Sequence, residues 1–177
     1  NMIKILFIII ILLIPNHGFG HVEHYKDIKK IEMDVFKDGK LIGFCNYEFL
    51  REKNKTKIEN ITEFQVKLLG IDIFTIKSKS IEVYENNQLL SFNSKTLQNK
   101  KKKFVNLKYI KKENNYLIDG SSYQGSAENN NIIGSWWNHK ILSANKQISP
   151  LSGSIKNQVV SFIKKKNIII NGKKYLT

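Results

Sequence analysis

Residues 135–139 bring together the side chains best suited to bind a ligand or to react with one. Trp136 and Trp137 are the only two tryptophans, and His139 is the only histidine outside the N-terminal segment. An imidazole beside an aromatic pocket could act as a general base in hydrolysis. Aromatic walls with few polar groups, such as the Asn138 amide, are instead typical of a small-ligand site.

The other candidates for catalysis are isolated from one another. Cys45 lies in an alternating strand pattern, where a cysteine is typically a small buried hydrophobic residue. Asp72 and Asp119 have no spacing that pairs them, and the chain contains no glycine-rich phosphate loop, Cys-x-x-Cys, His-Glu-x-x-His or Gly-x-Ser-x-Gly motif. We therefore expect no catalytic residue, and hydrolysis through His139 is the alternative.

A metal-binding pattern occurs near the N-terminus. Cleavage after Gly20 would leave His21 as the first residue, so that its α-amine and imidazole, with Glu23 and His24, would suit Cu(II). Residues so close to a terminus are usually mobile and unpacked. The sequence favours a polar leader over a metal site, and we predict neither a metal nor a cofactor.

The two adjacent tryptophans cannot both enter one core easily. Neighbouring side chains point about 100° apart on a helix and to opposite faces on a strand. We therefore expect one to pack and the other to stay accessible. Two interpretations remain open: the segment plugs one end of a sheet, or it rims an apolar cavity in which Trp136, Trp137 and Asn138 bind a ligand.

The elements that must position these residues are predicted to be β-strands. Alternating apolar and polar residues, separated by turn dipeptides, indicate an all-β fold. The clearest hairpin has apolar alternation over residues 31–35, an Asp38-Gly39 turn and a returning strand over 41–49. Cys45 shares a face of that strand with Tyr47, which predicts burial of the thiol.

Further strands are predicted along the chain, and consecutive strands usually pair as neighbours. The prediction is one antiparallel meander of about nine or ten strands that curls into a half-barrel or barrel. A polar turn is expected over 51–57, a turn at Asn86-Asn87, a break at the lysine run 100–103, and a short helix or ordered loop over 132–146. The remaining predicted strands are 58–69, with Phe64, Val66 and Leu68 inward, 71–84, 89–96, 104–110, 116–118, 121–127, 158–163 and 167–170.

The chain carries a formal net charge of +14. Such a charge raises nucleic acid or an anionic surface as a partner. Of the 29 basic residues, however, only Arg51 is an arginine, and lysine lacks the planar fork that reads phosphate and guanine bidentately. Lys, Ile and Asn also share A/T-rich codons. We expect no nucleic-acid partner, and a lysine-rich binder of anionic surfaces remains an alternative.

The N-terminus has the pattern of a signal peptide over residues 1–20. Lys4 precedes an apolar run over 5–14, and the small residues Gly18 and Gly20 follow. The run is shorter than the roughly 20 residues that span a bilayer, so we expect no stable membrane span after cleavage. Residues 21–30 would form a leader, and 31–177 a single β domain in the periplasm or otherwise exported. Because Asn171-Gly172 lies so near Thr177, we expect missing C-terminal strands.

Several short motifs occur in a characteristic order: Asp38 to Gly43, Phe64 to Leu69, Glu82 to Tyr84, Ser94 to Thr96 with Asn99-Lys100, Ser135 to Asn138, and Pro150 to Gly153. Together they resemble an exported bacterial family of unknown function, domain-of-unknown-function family 6134, over residues 31–177. The family usually has proline after its Trp-Asn pair, where this chain has His139. The resemblance implies export and a β-rich fold and supplies no established activity.

These observations together predict an exported, non-catalytic protein of the bacterial envelope. Its curled sheet would bind an apolar or amphiphilic small molecule, or an envelope protein. The alternatives are a periplasmic hydrolase that uses His139 and a lysine-rich binder of anionic surfaces. Binding through lysines would weaken steeply with salt, whereas binding in a cavity would hardly change.

Overall fold

The computed structural model describes residues 25, 27–170 and 172–176. The predicted signal peptide, residues 1–20, and the candidate copper ligands His21, Glu23 and His24 lie outside the described residues. Within the described part of the chain, no helix has the length and apolar character needed to cross a membrane.

Eight consecutive strands form one antiparallel sheet in which each strand pairs with its neighbours in the chain. The structure thus confirms the all-β meander. Among the described residues, β1 and β8 are the two edges and do not pair, so the sheet does not close into a barrel. The strands are β1 (Lys30–Lys37), β2 (Lys40–Glu52), β3 (Lys55–Leu68), β4 (Ile71–Glu85), β5 (Gln88–Gln98), β6 (Lys101–Ile110), β7 (Asn115–Gly120) and β8 (Gln124–Glu128).

Tight turns join the strands, and their residues explain the sharp reversals. Asp38 and Gly39 have φ of 51° and 74°, and Asn86 and Asn87 have φ of 48° and 67°. Positive φ at both central residues is what a type I′ hairpin requires, and Asn, Asp and Gly reach that region most easily. The Asp38-Gly39 and Asn86-Asn87 turns are both confirmed.

Two predicted turns are shorter than expected. Within the polar stretch 51–57, only Lys53 and Asn54 form the turn. β3 has already begun at Lys55, and its side chains alternate from there, with Thr56 and Ile58 buried. The lysine run 100–103 turns only at Asn99-Lys100, and the following lysines begin β6. Charged residues therefore do not end these strands, since a solvated face accommodates them.

One face of the sheet holds most of the core. Cys45, Tyr47 and Phe49 are buried there, as the alternation of β2 predicts. Leu68, predicted to face inward, is instead 60% exposed. The β3–β4 hairpin extends beyond the buried part of the sheet, so Leu69 and Ile71 at its tip are exposed as well.

Residues 132–157, which we call the cap, lie over the buried face. The cap contains β9 (Ile132–Ile133), the 3-10 helix His139–Leu142, β10 (Lys146–Ile148) and β11 (Ile155–Asn157), with β9 parallel and β11 antiparallel to β10. The 3-10 helix confirms the short helix or ordered loop predicted over 132–146. Gly120 allows close approach, because a Cβ there would lie 2.7 Å from the Ser152 carbonyl oxygen.

The strand predicted over 158–163 is wrong. Residues 158–166 form no strand, and Val159 is 93% exposed. Apolar residues form a strand only where a neighbouring strand satisfies their backbone groups, and this segment pairs with none in the described chain. A hairpin of β12 (Asn167–Ile170) and β13 (Lys173–Leu176) follows. β12 confirms the predicted strand over 167–170, and β13 is its four-residue returning strand.

Candidate functional site

A band of small polar side chains crosses the buried face of the sheet from β2 to β5. The register aligns them in two rows, Cys45–Thr62–Ser78–Thr96 and Tyr47–Asn60–Ser80–Ser94. Ser78, Ser80, Ser94 and Thr96 are all buried. Because serine and threonine side chains are short, this band leaves space between the sheet and the cap.

That space is a cavity of about 230 Å³. Its floor is the part of the polar band that lies on β2, β3 and β4, together with Glu82, and its walls are apolar. The walls are Phe64, Ile76 and Phe92 from the sheet and Trp136, Pro150 and Leu151 from the cap. The cap is fixed over the floor by hydrogen bonds, one from the Ser94 hydroxyl to the Pro150 carbonyl at 2.6 Å and one from the Trp136 N–H to the Tyr47 hydroxyl at 3.2 Å.

Glu82 is a buried acid at one end of the cavity floor. Its Oε1 accepts a hydrogen bond from Trp137 Nε1 at 3.0 Å, and its Oε2 accepts one from the Tyr84 hydroxyl at 2.7 Å. Burial raises the pKa of Glu82 to about 7, although the two donated hydrogen bonds oppose the rise. The carboxyl group therefore changes charge near neutral pH.

Tyr84 and Tyr47 surround this acid with hydroxyl groups that stay neutral. Burial raises the pKa of Tyr84, and the charge of Glu82 raises it further. Burial likewise raises the pKa of Tyr47. Glu82 is thus the group near the cavity floor that ionises around pH 7, because both tyrosines remain protonated there.

The two tryptophans have different surroundings. Trp137 is 2% exposed and contacts the rings of Phe49 and Tyr84 edge to face, at centroid distances of 5.6 and 5.8 Å. Trp136 is 59% exposed and lines the cavity. One tryptophan therefore packs and the other is accessible, as predicted. Trp136 marks the place where the cavity meets solvent.

Asn138 and His139 lie away from this cavity. Asn138 caps the 3-10 helix by accepting a hydrogen bond from the Lys140 N–H, and it lines a second, more polar cavity of about 300 Å³. The Nδ1 atom of His139 lies 3.5 Å from the Tyr25 hydroxyl, and His139 lines neither cavity. The structure therefore does not bring Trp136, Trp137 and Asn138 together around one cavity.

Ser135 carries an unsatisfied polar atom. The residue is buried and lines the 230 Å³ cavity. Among the described residues, its Oγ is the buried side-chain oxygen that has no hydrogen-bond partner. A buried hydroxyl without a partner costs free energy, so Ser135 Oγ can still pair with a polar group inside the cavity.

The residues of this site lie within a stretch of the chain that matches a known protein family. The family described as "Domain of unknown function (DUF6134)" matches residues 33–177. The chain belongs to the DUF6134 family. The resemblance found in the sequence motifs is thereby confirmed. No curated protein and no solved structure matches this DUF6134 chain.

The DUF6134 region contains every residue of the cavity described above. Glu82 and the polar band were not predicted as site residues from the sequence, although a signal was present. Ser78, Ser80 and Glu82 follow at spacing two, in phase with the buried Ile76 and Tyr84. Polar residues at inward positions of a strand mark a place where the interior is not filled by apolar side chains.

The buried position of Cys45 in this DUF6134 site predicts that its thiol contributes to stability. Its Sγ accepts hydrogen bonds from Thr62 Oγ1 at 3.1 Å and from Asn60 Nδ2 at 3.3 Å, and the residue is buried. Cys45→Ala should lower the free energy of unfolding by about 1 kcal/mol, because the thiol is removed from a packed position. Urea unfolding of both proteins measures this change.

Labelling with a soluble thiol reagent gives an independent measurement. Native protein should react much more slowly than protein in denaturant, since reagents attack an accessible thiolate. Equal labelling rates in the two states would contradict the burial of Cys45.

Proposed function

We propose that this protein binds an amphiphilic small molecule in the cavity between the sheet and the cap, without catalysing a reaction on it. The observation that carries the proposal is the pairing of apolar walls with a buried polar floor, together with a Ser135 hydroxyl in the cap that has no hydrogen-bond partner among the described residues. The predicted signal peptide, residues 1–20, would direct this binding to the bacterial envelope.

The size of the cavity supports a small ligand. An apolar cavity of roughly 150 Å³ holds one benzene molecule. The space here is about 230 Å³, so an aromatic ring or short alkyl chain with one polar group is of the right size. Small-ligand sites typically combine apolar walls with few polar groups that fix orientation.

The polar floor and the apolar walls suit the two parts of such a ligand. Phe92 and Leu151 offer apolar surface, whereas Ser80 and Ser135 offer hydroxyl groups. A purely apolar ligand would leave the Ser135 hydroxyl unpaired, at a cost of about 1–3 kcal/mol. A ligand with a polar end avoids that cost.

A pair of variants at Ser80 tests whether the cavity binds. Ser80 lies in the middle of the floor and is buried. Ser80→Leu should fill the cavity and weaken binding of 2-phenylethanol by about tenfold or more, whereas Ser80→Ala should change it by less than about twofold. Ligand-detected NMR or titration calorimetry measures both.

Leu151→Trp fills the same cavity from the cap. It provides an independent test of binding if Ser80→Leu does not fold. It should also weaken binding of 2-phenylethanol, and thermal unfolding should show that the protein is folded. Unchanged affinity in both filled variants would overturn the proposed function, as would a wild type that binds neither 2-phenylethanol nor its amine and carboxylate analogues.

A further inference from the structure

We infer that the ligand carries a positively charged amine, held at Glu82 on the floor of the cavity. This inference rests on the proposed function and adds the chemical class of the ligand. It follows from the charges that line the cavity, from the hydrogen bonds already made by Glu82 and from the unpaired hydroxyl of Ser135.

The charge inside the cavity is opposite to that of the molecule as a whole. The chain carries 29 basic residues and a net charge of +14. Yet none of the described residues that line the cavity is Lys or Arg, and its one acidic residue is Glu82. The cavity therefore repels an anionic ligand and attracts a cationic one, although the protein surface does the reverse.

Glu82 lacks a cationic partner within the described chain. Both of its hydrogen bonds come from neutral donors, Trp137 Nε1 and the Tyr84 hydroxyl. Each carboxylate oxygen can accept a further hydrogen bond. An ionised carboxylate that is buried without an opposite charge is costly, and a cation beside it offsets that cost.

An ammonium group matches the remaining polar atoms. It has three N–H donors and no acceptor. Glu82 can accept one of these bonds, and the hydroxyl oxygens of Ser135 and Ser80 line the same cavity. The apolar part of the ligand would then contact Phe92 and Trp136, which complete the wall.

Three probes of nearly equal shape distinguish the ligand classes. They are 2-phenylethylamine, 2-phenylethanol and phenylacetate, which place an ammonium, a hydroxyl or a carboxylate beside the same ring. At about pH 8, where Glu82 is ionised, the amine should bind at least about tenfold more tightly than the alcohol, and phenylacetate should bind most weakly. Titration calorimetry measures all three.

Glu82→Gln should abolish the preference for the amine, so that 2-phenylethylamine binds no more tightly than 2-phenylethanol. Glu59→Gln is the matched control, because Glu59 lies on the opposite face of the sheet, in β3, and pairs with Lys57 at 2.7 Å. The control should keep the full preference. A preference that survives in Glu82→Gln would overturn the inference.

The wild type gives a second measurement that needs no variant. At about pH 5.5, Glu82 should be mostly protonated and the preference for the amine should fall about tenfold. Tyr84 on the same strand and Tyr47 on β2 face Glu82, and both stay neutral at either pH. A preference that does not change with pH would count against Glu82 as the binding group.

The probes also separate this inference from the proposed function. One outcome is that the alcohol and the amine bind equally well to the wild type, with both binding affinities lost in Ser80→Leu. In that case the cavity binds ligands, but the inference that the ligand is an amine is wrong. If no probe binds to the wild type, both the inference and the proposed function are wrong.

Discussion

Trp137→Ala should lower the free energy of unfolding by about 4 kcal/mol, whereas Trp136→Ala should lower it by less than about 1 kcal/mol. The buried indole of Trp137 packs edge to face against Phe49 and Tyr84. Its removal also takes away one of the two hydrogen bonds to Glu82. Urea unfolding followed by circular dichroism measures both variants.

Trp136→Ala should act on binding instead. Its side chain is largely exposed and lines the cavity, so its loss should weaken the binding of 2-phenylethanol several-fold. Equal losses of stability in the two variants would show that the segment is only a plug over the sheet.

The wild type should lose about 3 kcal/mol of stability between about pH 4 and pH 8 that Glu82→Gln does not lose. The pKa of Glu82 is about 7 in the folded protein, against 4.5 for the same carboxyl group in an unfolded chain. Between these values the folded protein binds more protons than the unfolded chain. Stability therefore falls as pH rises through this range and levels off above about pH 7.

Urea titrations of the wild type and Glu82→Gln at both pH values measure this loss. Glutamine keeps the shape of the side chain, and its oxygen can still accept the hydrogen bond from Trp137. Glu59→Gln should follow the wild type, because the Glu59 side chain is 41% exposed to solvent. A constant difference between the wild type and Glu82→Gln at the two pH values would show that Glu82 keeps one charge state throughout.

Alternation predicted most of the sheet because it reports which side chains face inward. Its predictions for β2 hold at Cys45, Tyr47 and Phe49. In β5 the pairing shifts register opposite Val83 and Tyr84, so that Leu89 and Phe92 both face inward although three positions separate them. A shift of one residue exchanges the two faces of a strand, and nothing local in the sequence marks it.

The candidate site was predicted only in part, because it too depends on how the strands are aligned. The tryptophan pair stood out by residue type, and the expectation that one packs and one is exposed is confirmed. The polar floor became visible only once the register aligned Ser78 and Ser80 with the polar residues of β3 and β5. Whether a serine faces solvent or a cavity depends on what covers it, and the cap is distant in sequence.

The meander also separates the assembly of the sheet from the closing of the cavity. Every pairing in the eight-stranded sheet joins consecutive strands through a short connection, which costs little chain entropy to close. The contact between Trp137 and Glu82 instead joins positions 55 residues apart. An opening of the cap would leave every pairing of the eight-stranded sheet intact, and such local openings generally cost less free energy than global unfolding. For the proposed ligand, a firmly docked cap would then lengthen the residence time, and the solvent-exposed edge at Trp136 would offer a second route of exchange.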